Sequence, residues 1–308
     1  MSKHSKSDLL QMQSLPLSAK INMSQRRIRD WYDYWNGQVY VSFSGGKDST
    51  VLKHLVETTI GEMYNPDTDM SEYVPSVFVN TGLEYPEIQR FAMSQPNVIT
   101  VRPEKRFDEV IKEYGYPVIS KEVAQVIEEA RRHEITGKYT YRMKRLEGTL
   151  LTKDGKKSAY NCPQYKYLLD APFKISSKCC DVMKKKPAKS YEKESGRKAY
   201  IGTMAQESRA RQTAWFINGC NAFNKNRPTS QPLSFWTEQD VLEYIVTYNL
   251  PYAPIYGEIL RDESGKYYTT GAKRTGCMFC MFGMKQDGCP NRFEKMRERV
   301  TLISINTV

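Results

Sequence analysis

The chain has 308 residues, and its 46 Lys and Arg against 35 Asp and Glu give a net charge of +11. That length can bury a sizeable core as one large domain or one domain with extensions, and no apolar run approaches the length of a membrane span. The opening stretch MSKHSKSDLLQMQ lacks the apolar core of a signal peptide, so a cytoplasmic protein without a membrane partner is expected. The cysteines are Cys162, Cys179, Cys180, Cys220, Cys277, Cys280 and Cys289. In a reducing compartment, an odd number with tight pairs points to metal binding or catalysis, not disulfides. Composition says nothing of oligomeric state.

In chain order, residues 17–35 carry apolar and aromatic positions at helical spacing and end near Asn36-Gly37, which predicts a leading helix. An apolar run of strand type, 38–44, feeds into SGGKDS, and a helix is expected from about Asp48. Strand–glycine–helix is an anion site. Gly45 and Gly46 let the backbone approach a phosphate, and the N–H groups opening the helix point at it. Lys47 adds a mobile charge, and Ser44 and Ser49 add hydroxyls. Asp48 fits as a helix-start acid or as a handle for Mg²⁺ accompanying a triphosphate. The Walker spacing is absent.

Further strand-like runs fall at 76–80, at 97–101 and from Lys198, with helical patterns between them. Alternation of this kind predicts an α/β fold with a parallel sheet covered on both faces. Ligands in such sheets sit at the carboxyl ends of strands, which makes Thr81, Gly82 and Gly202 candidates beside the 44–49 loop. Residues 121–197 interrupt the alternation and are expected to form an insertion over the active-site face. The expected organisation is an N-terminal extension at 1–36, a nucleotide-binding domain at 37–255 and a cysteine-containing extension at 256–308.

The charge is local. Residues 121–200 hold 20 Lys and Arg against 10 Asp and Glu, hence +10 of the +11. Tyr139, Tyr141, Tyr160, Tyr165 and Tyr167 are interleaved among these basic residues, and stacking faces beside phosphate-binding charge suit nucleic acid as well as a solvated surface. His4, His54 and His133 support no triad or metal box.

The segments SFSGGKDSTVL, FVNTGLEYPE, YGYPVISKE, KCCDVMKKKP, IGTMAQESRAR, PLSFWTEQDVLEYIVTYNLPYAPIY and RTGCMFC resemble, in this order, the phosphoadenosine phosphosulfate (PAPS) reductase family within the N-type ATP pyrophosphatase superfamily. The resemblance implies a Rossmann-like, adenine nucleotide alpha hydrolase-like sheet. It also implies an adenine nucleotide, either ATP with Mg²⁺ or PAPS or adenylylsulfate, with its phosphate or sulfate end in the loop. Cys179 and Cys180 followed by Cys277 and Cys280 resemble the 4Fe-4S motif of assimilatory adenylylsulfate reductases, which implies those four as ligands, with a structural zinc as the alternative.

Three departures bear on the reaction. Reductases of this family place a catalytic cysteine in a C-terminal Glu-Cys-Gly-Leu-His motif, whereas no cysteine follows Cys289 here. They tend to lack the loop lysine, whereas Lys47 and Asp48 are present. Their Arg-Arg pair after the fourth strand is replaced by Met204-Ala205, leaving Glu207, Ser208, Arg209 and Arg211 as phosphate or substrate contacts. An ATP-dependent sulfurtransferase acting on nucleic acid, as in DNA phosphorothioation, is therefore expected, served by a sulfur donor protein. A sulfonucleotide reductase is the second expectation, and an adenylyltransferase or nucleotide-sensing module the third.

Overall fold

The computed structural model describes residues 3–64 and 74–297; the chain end beyond 297, with its expected lack of a catalytic cysteine, lies outside the described residues. Helices α1 (Lys6–Gln13) and α2 (Leu17–Tyr34) precede β1 (Val39–Phe43), α3 (Lys47–Tyr64), β2 (Ser76–Val79), α4 (Pro86–Ser94) and β3 (Val98–Val101). Then come α5 (Phe107–Tyr114), α6 (Lys121–Thr136), α7 (Tyr141–Glu147), α8 (Lys186–Ser195), β4 (Lys198–Ile201) and α9 (Arg209–Asn218). Two short strands, β5 (Asn221–Ala222) and β6 (Thr229–Ser230), helix α10 (Glu238–Thr247) and a hairpin of β7 (Ile259–Arg261) and β8 (Tyr267–Thr269) complete the order.

The chain divides into two compact units. The first comprises Met1–Asn80, Glu84–Arg102 and Ala188–Thr275, and the second Thr81–Leu83, Pro103–Pro187 and Gly276–Val308. The N-terminal 36 residues and residues 256–275 thus count with the sheet, not as extensions of it.

The first unit is a six-stranded sheet ordered β3-β2-β1-β4-β6-β5, parallel except for the β5–β6 pair. All four strand-like runs of the sequence lie in it. β1 is central because VYVSF is buried on both faces, and only a near-continuous apolar run tolerates that. Val39 and Val41 pack with Ile28 and Trp31 of α2 and with Val51 and Leu55 of α3. Tyr40, on the opposite face, packs with Val77, Ala199 and Tyr191 of α8. Phe43, Phe78, Ile88 and Phe91 bring α4 against the sheet at its carboxyl end.

A buried ion pair ties α2 to α10. Lys20 Nζ lies 2.7 Å from both carboxylate oxygens of Asp240, which also accepts from the Thr237 N–H at 2.6 Å as the capping box of α10. The Lys20 side chain is 2% exposed, so removing its partner strands a desolvated ammonium. Asp240→Ala is expected to cost about 3–5 kcal/mol in denaturant unfolding. Asp240→Asn, which keeps an acceptor, should cost less.

The second unit holds the basic segment as far as Pro187, with a core of its own of Val123, Val126, Ile127, Leu146, Cys162 and Leu168, while its remainder from Ala188 counts with the sheet. The Lys-, Tyr- and Cys-rich stretch after α7 has little regular structure, so its carbonyls need other partners. The Arg131 guanidinium supplies them, donating to the carbonyls of Leu168, Leu169, Ala171 and Phe173 at 2.7–3.2 Å. Among the described residues no helix is long and apolar enough to cross a membrane.

Candidate functional site

The SGGKDS loop lies where sequence reasoning puts it, between the end of β1 and the first residue of α3. Gly45 has φ +70°, and a Cβ there would sit 2.9 Å from the Ile88 carbonyl and 3.0 Å from Ala92 Cβ. Only glycine allows both that backbone angle and the approach of α4. Gly202, at the end of β4, acts as a packing residue: a Cβ would lie 3.2 Å from the Asp48 carbonyl, so its absence lets β4 approach the start of α3. Ser44 and Ser49 shape the loop through an Oγ···Oγ contact of 3.0 Å, and the Ser49 hydroxyl donates to the Gly46 carbonyl at 2.8 Å.

Lys47 is the buried cation of the loop. Its side chain is 6% exposed, and Nζ meets Glu238 Oε1 at 3.3 Å, Asp48 Oδ1 at 3.5 Å and the Lys273 carbonyl at 3.3 Å. Burial opposes its charge, but Asp48, Tyr256 and Glu238 together outweigh that and hold its pKa above the ordinary lysine value. Asp48 is pushed the other way from a free carboxylate: burial raises its pKa, Glu207 and Glu238 add to the rise, and Lys47 opposes it. The site is therefore a buried positive centre ringed by carboxylates.

Tyr256 closes one side. Its hydroxyl accepts the Lys47 N–H at 3.3 Å and shares a hydrogen bond with Thr275 Oγ1 at 2.9 Å. Glu207 accepts from Arg274 Nη2 at 3.3 Å and from Met204 N–H at 2.8 Å, and it pairs with Arg211. Arg211 is thus committed to a carboxylate, while Arg209 is exposed at the start of α9, whose N-cap is Ser208. Thr81 and Gly82 follow β2 and count with the second unit; Thr81 Oγ1 accepts the Leu83 N–H at 3.2 Å. Glu238, Tyr256, Lys273 and Thr275 were not singled out in the sequence, although three of them stand inside family-like segments, as WTEQD, LPYAPIY and RTGC.

In the second unit, Cys179, Cys180, Cys277 and Cys280 line one small apolar pocket with Leu83 and Phe107. Cys179 and Cys180 open a helix that passes through a π-turn at Asp181–Lys185 into α8. The Cys277-x-x-Cys280 turn is closed by the Cys280 N–H on the Cys277 carbonyl at 3.1 Å, and Arg292 Nη1 donates to the same carbonyl at 3.1 Å. Burial, then the sulfurs of Cys180, Cys277 and Cys280, push the Cys179 thiol up to about 12. Four thiolates in one apolar pocket repel one another, and a polycationic centre is what would hold all four ionised. The chemistry of this donor set is that of an iron–sulfur cluster, which makes Cys179, Cys180, Cys277 and Cys280 its candidate ligands. Among the described residues, no group of three or more His, Cys, Asp or Glu side chains is gathered to hold a single metal ion. Cys162 and Cys220 are packing thiols, buried in the cores of the second and first units respectively, and Cys289 is exposed.

β1 lies between β2 and β4, so the chain runs outward on one side of it and returns on the other, and the anion loop sits at that reversal. This is the doubly wound class of α/β protein, in which ligands lie at the carboxyl ends of the strands at a topological switch point. The chain belongs to the family of the phosphoadenosine phosphosulfate reductase domain, which matches residues 38–281. An adenosine 5'-phosphosulfate reductase of Lysinibacillus sphaericus is 36% identical over 83 residues, covering 27% of this chain and 34% of that protein. An uncharacterized protein of Methanocaldococcus jannaschii is 23% identical over 256 residues, covering 82% of this chain and 38% of that protein. The chain thus spans about a third of the length of these curated relatives. A phosphoadenylyl-sulfate reductase of Candida auris, solved as a phosphate complex, is similar with a TM-score of 0.41 at 14% identity, covering 86% of this chain and 98% of that one.

Proposed function

We propose that the protein binds ATP with Mg²⁺ in the 44–49 loop, cleaves it between the α- and β-phosphates, and uses the adenylate to introduce sulfur into a nucleic acid. The observation that carries this reading is the buried, charged Lys47 at the start of α3. An acceptor oxygen attacks the α-phosphate, the bond to the β-phosphate breaks, and pyrophosphate leaves with the electron pair. The loop N–H groups and Lys47 stabilise the charge growing on that pyrophosphate, which is electrostatic catalysis. A sulfide donor then attacks the activated acceptor, forming the bond to sulfur, and AMP departs with the acceptor oxygen and the electron pair of the bond broken. Asp48 is the handle for the Mg²⁺ that accompanies the triphosphate; its Oδ1 is buried 3.5 Å from Lys47 Nζ, beside the position of the phosphates. Arg209, exposed at the start of α9, is a contact for the substrate. Gly202 serves the nucleotide by seating the loop, and Thr81 and Gly82 follow a strand end where an adenine nucleotide is expected. A 4Fe-4S cluster bound by the four cysteines would supply redox or sulfur-handling chemistry.

The nucleic-acid acceptor is supported by the surface of the basic segment. Tyr139, Tyr141, Tyr160 and Tyr167 are exposed, and only Tyr165 of the five packs into the core of the second unit. Arg142 and Arg145 lie over the Tyr141 and Tyr160 rings at 5.2 and 5.6 Å, but Arg142 pairs with Glu129 and Arg145 is buried against Glu122, so these contacts hold the tyrosines in place and leave phosphate contact to other basic residues. A sulfonucleotide reductase is the second reading, favoured by the relative of that name in Lysinibacillus sphaericus.

Incubating anaerobically prepared protein with ATP, a sulfur donor and, separately, DNA, RNA or PAPS tests both. Sulfur-bearing nucleic acid with AMP and pyrophosphate is the expected product by mass spectrometry. Sulfite from PAPS without ATP consumption would replace the first reading by the second.

A further inference from the structure

The loop of this chain already holds an anion of its own. The Lys47 ammonium is fully surrounded: Glu238 Oε1 lies at 3.3 Å, Asp48 Oδ1 at 3.5 Å and the Lys273 carbonyl at 3.3 Å. The Lys47 N–H, which would serve a bound phosphate, is taken by the Tyr256 hydroxyl, and the Gly46 N–H by Ser44 Oγ at 3.4 Å. Any incoming anion must therefore exchange with an internal partner instead of filling an open site.

Burial decides which partner gives way. Tyr256 is 2% exposed and packed among Phe43, Phe78 and Phe91, so it cannot swing out without opening that core. Asp48 and the Lys273 carbonyl are fixed to the loop itself and to the backbone. The Glu238 side chain, in contrast, is 47% exposed. It stands at the first position of α10, where the helix N-terminus stabilises a carboxylate whether or not it touches Lys47. Releasing it costs little more than one partly solvated ion pair.

We propose that Glu238 is a displaceable internal counter-ion of Lys47, so that an incoming anion binds this loop by exchange with it. The inference rests on the proposed nucleotide site and adds the internal competitor its ligand must displace. An anion carrying a single charge, such as the sulfate end of a sulfonucleotide, replaces one negative charge at Lys47 by another and gains little Coulomb energy. A pyrophosphate or triphosphate end brings more charge than Glu238 removes, so the exchange is favourable. Glu238 is thus an internal competitor that lowers the affinity of every anion by one common factor.

The test is calorimetry with ATP, inorganic pyrophosphate, adenylyl sulfate and inorganic sulfate on the full chain and on Glu238→Gln. The variant is expected to bind all four more tightly, by about fivefold each, the equivalent of one partly exposed ion pair. Glu263→Gln, an exposed carboxylate of the β7–β8 hairpin, controls for net charge and should leave affinities unchanged. The sign is diagnostic, because a Glu238 that merely held Lys47 in place would give weaker binding when replaced. Equal or weaker binding by Glu238→Gln, with the unaltered protein binding ATP, overturns this inference alone. Absence of binding of every probe by both proteins overturns the nucleotide site itself, and this inference with it. Glu238→Ala, checked by its circular dichroism spectrum, gives the same reading if the glutamine variant does not fold.

Discussion

Replacing Lys47 by methionine is expected to lower the affinity for ATP and pyrophosphate by roughly 10- to 100-fold, the worth of a charge-assisted contact in a buried site. The expectation follows from burial as much as from charge. A solvated lysine at a loop could be replaced by water and counter-ions, whereas the Lys47 side chain is 6% exposed, with Tyr256 and the Lys273 carbonyl against it, so solvent has little access to take its place. Its pKa is raised, so it is charged throughout the neutral range and the defect should not depend on pH there. Methionine preserves the stem and so the packing, and a melting curve separates a binding defect from an unfolded protein. A second consequence distinguishes this residue from a structural lysine: without it, Asp48 and Glu238 face each other with no cation between them. Asp48→Asn in the Lys47→Met background should therefore recover stability but not binding. Calorimetry showing undiminished ATP affinity in Lys47→Met would remove the loop from the mechanism.

Cys280→Ser and Cys277→Ser are each expected to abolish the brown colour of anaerobically purified protein and to strip most of its iron and acid-labile sulfide. Serine is a poor substitute because the ligand must be a soft thiolate. The neighbouring thiols then lose the positive centre that would keep them ionised, so the loss of one ligand releases the others. Cys289→Ser, at an exposed position outside the four-cysteine pocket, should retain full iron and sulfide. Iron analysis of these variants checks the assignment residue by residue. Stoichiometric zinc with no iron in the unaltered protein would fit the same ligands but remove the redox chemistry from the proposed function.

The parts of this protein that sequence makes legible are those whose physics is local. VYVSF, SVFV and KAYI read as strands because buried parallel strands need apolar runs, and VITV, at the sheet edge and half-exposed, reads as one through its β-branched residues. SGGKDS reads as an anion loop because glycine, lysine and a helix start stand next to one another in the chain. The tight cysteine pairs are equally local. The two-residue strands β5 and β6 and the three-residue strands β7 and β8 carry too few positions for any period to show.

Only the tertiary structure decides what the lysine of the loop faces. Tyr256 and Lys273 stand 209 and 226 residues from Lys47 in the chain, and Glu238 reaches it from the start of another helix. No spacing rule connects such positions. Gly202 and Gly45 look alike as glycines after strands, yet one serves the approach of β4 to Asp48 and the other the approach of α4 to the loop, a distinction made by packing. The same holds for the basic segment, where the sequence offered five equivalent tyrosines and packing buried one while leaving four at the surface. The sequence by itself determined the strands β1 to β4, the SGGKDS turn between β1 and α3 and the cysteine pairs, because each is set by neighbours along the chain. Which charges oppose Lys47, and which glycine makes room for which element, were decided by contacts between segments far apart in sequence, where burial and not periodicity selects the partner.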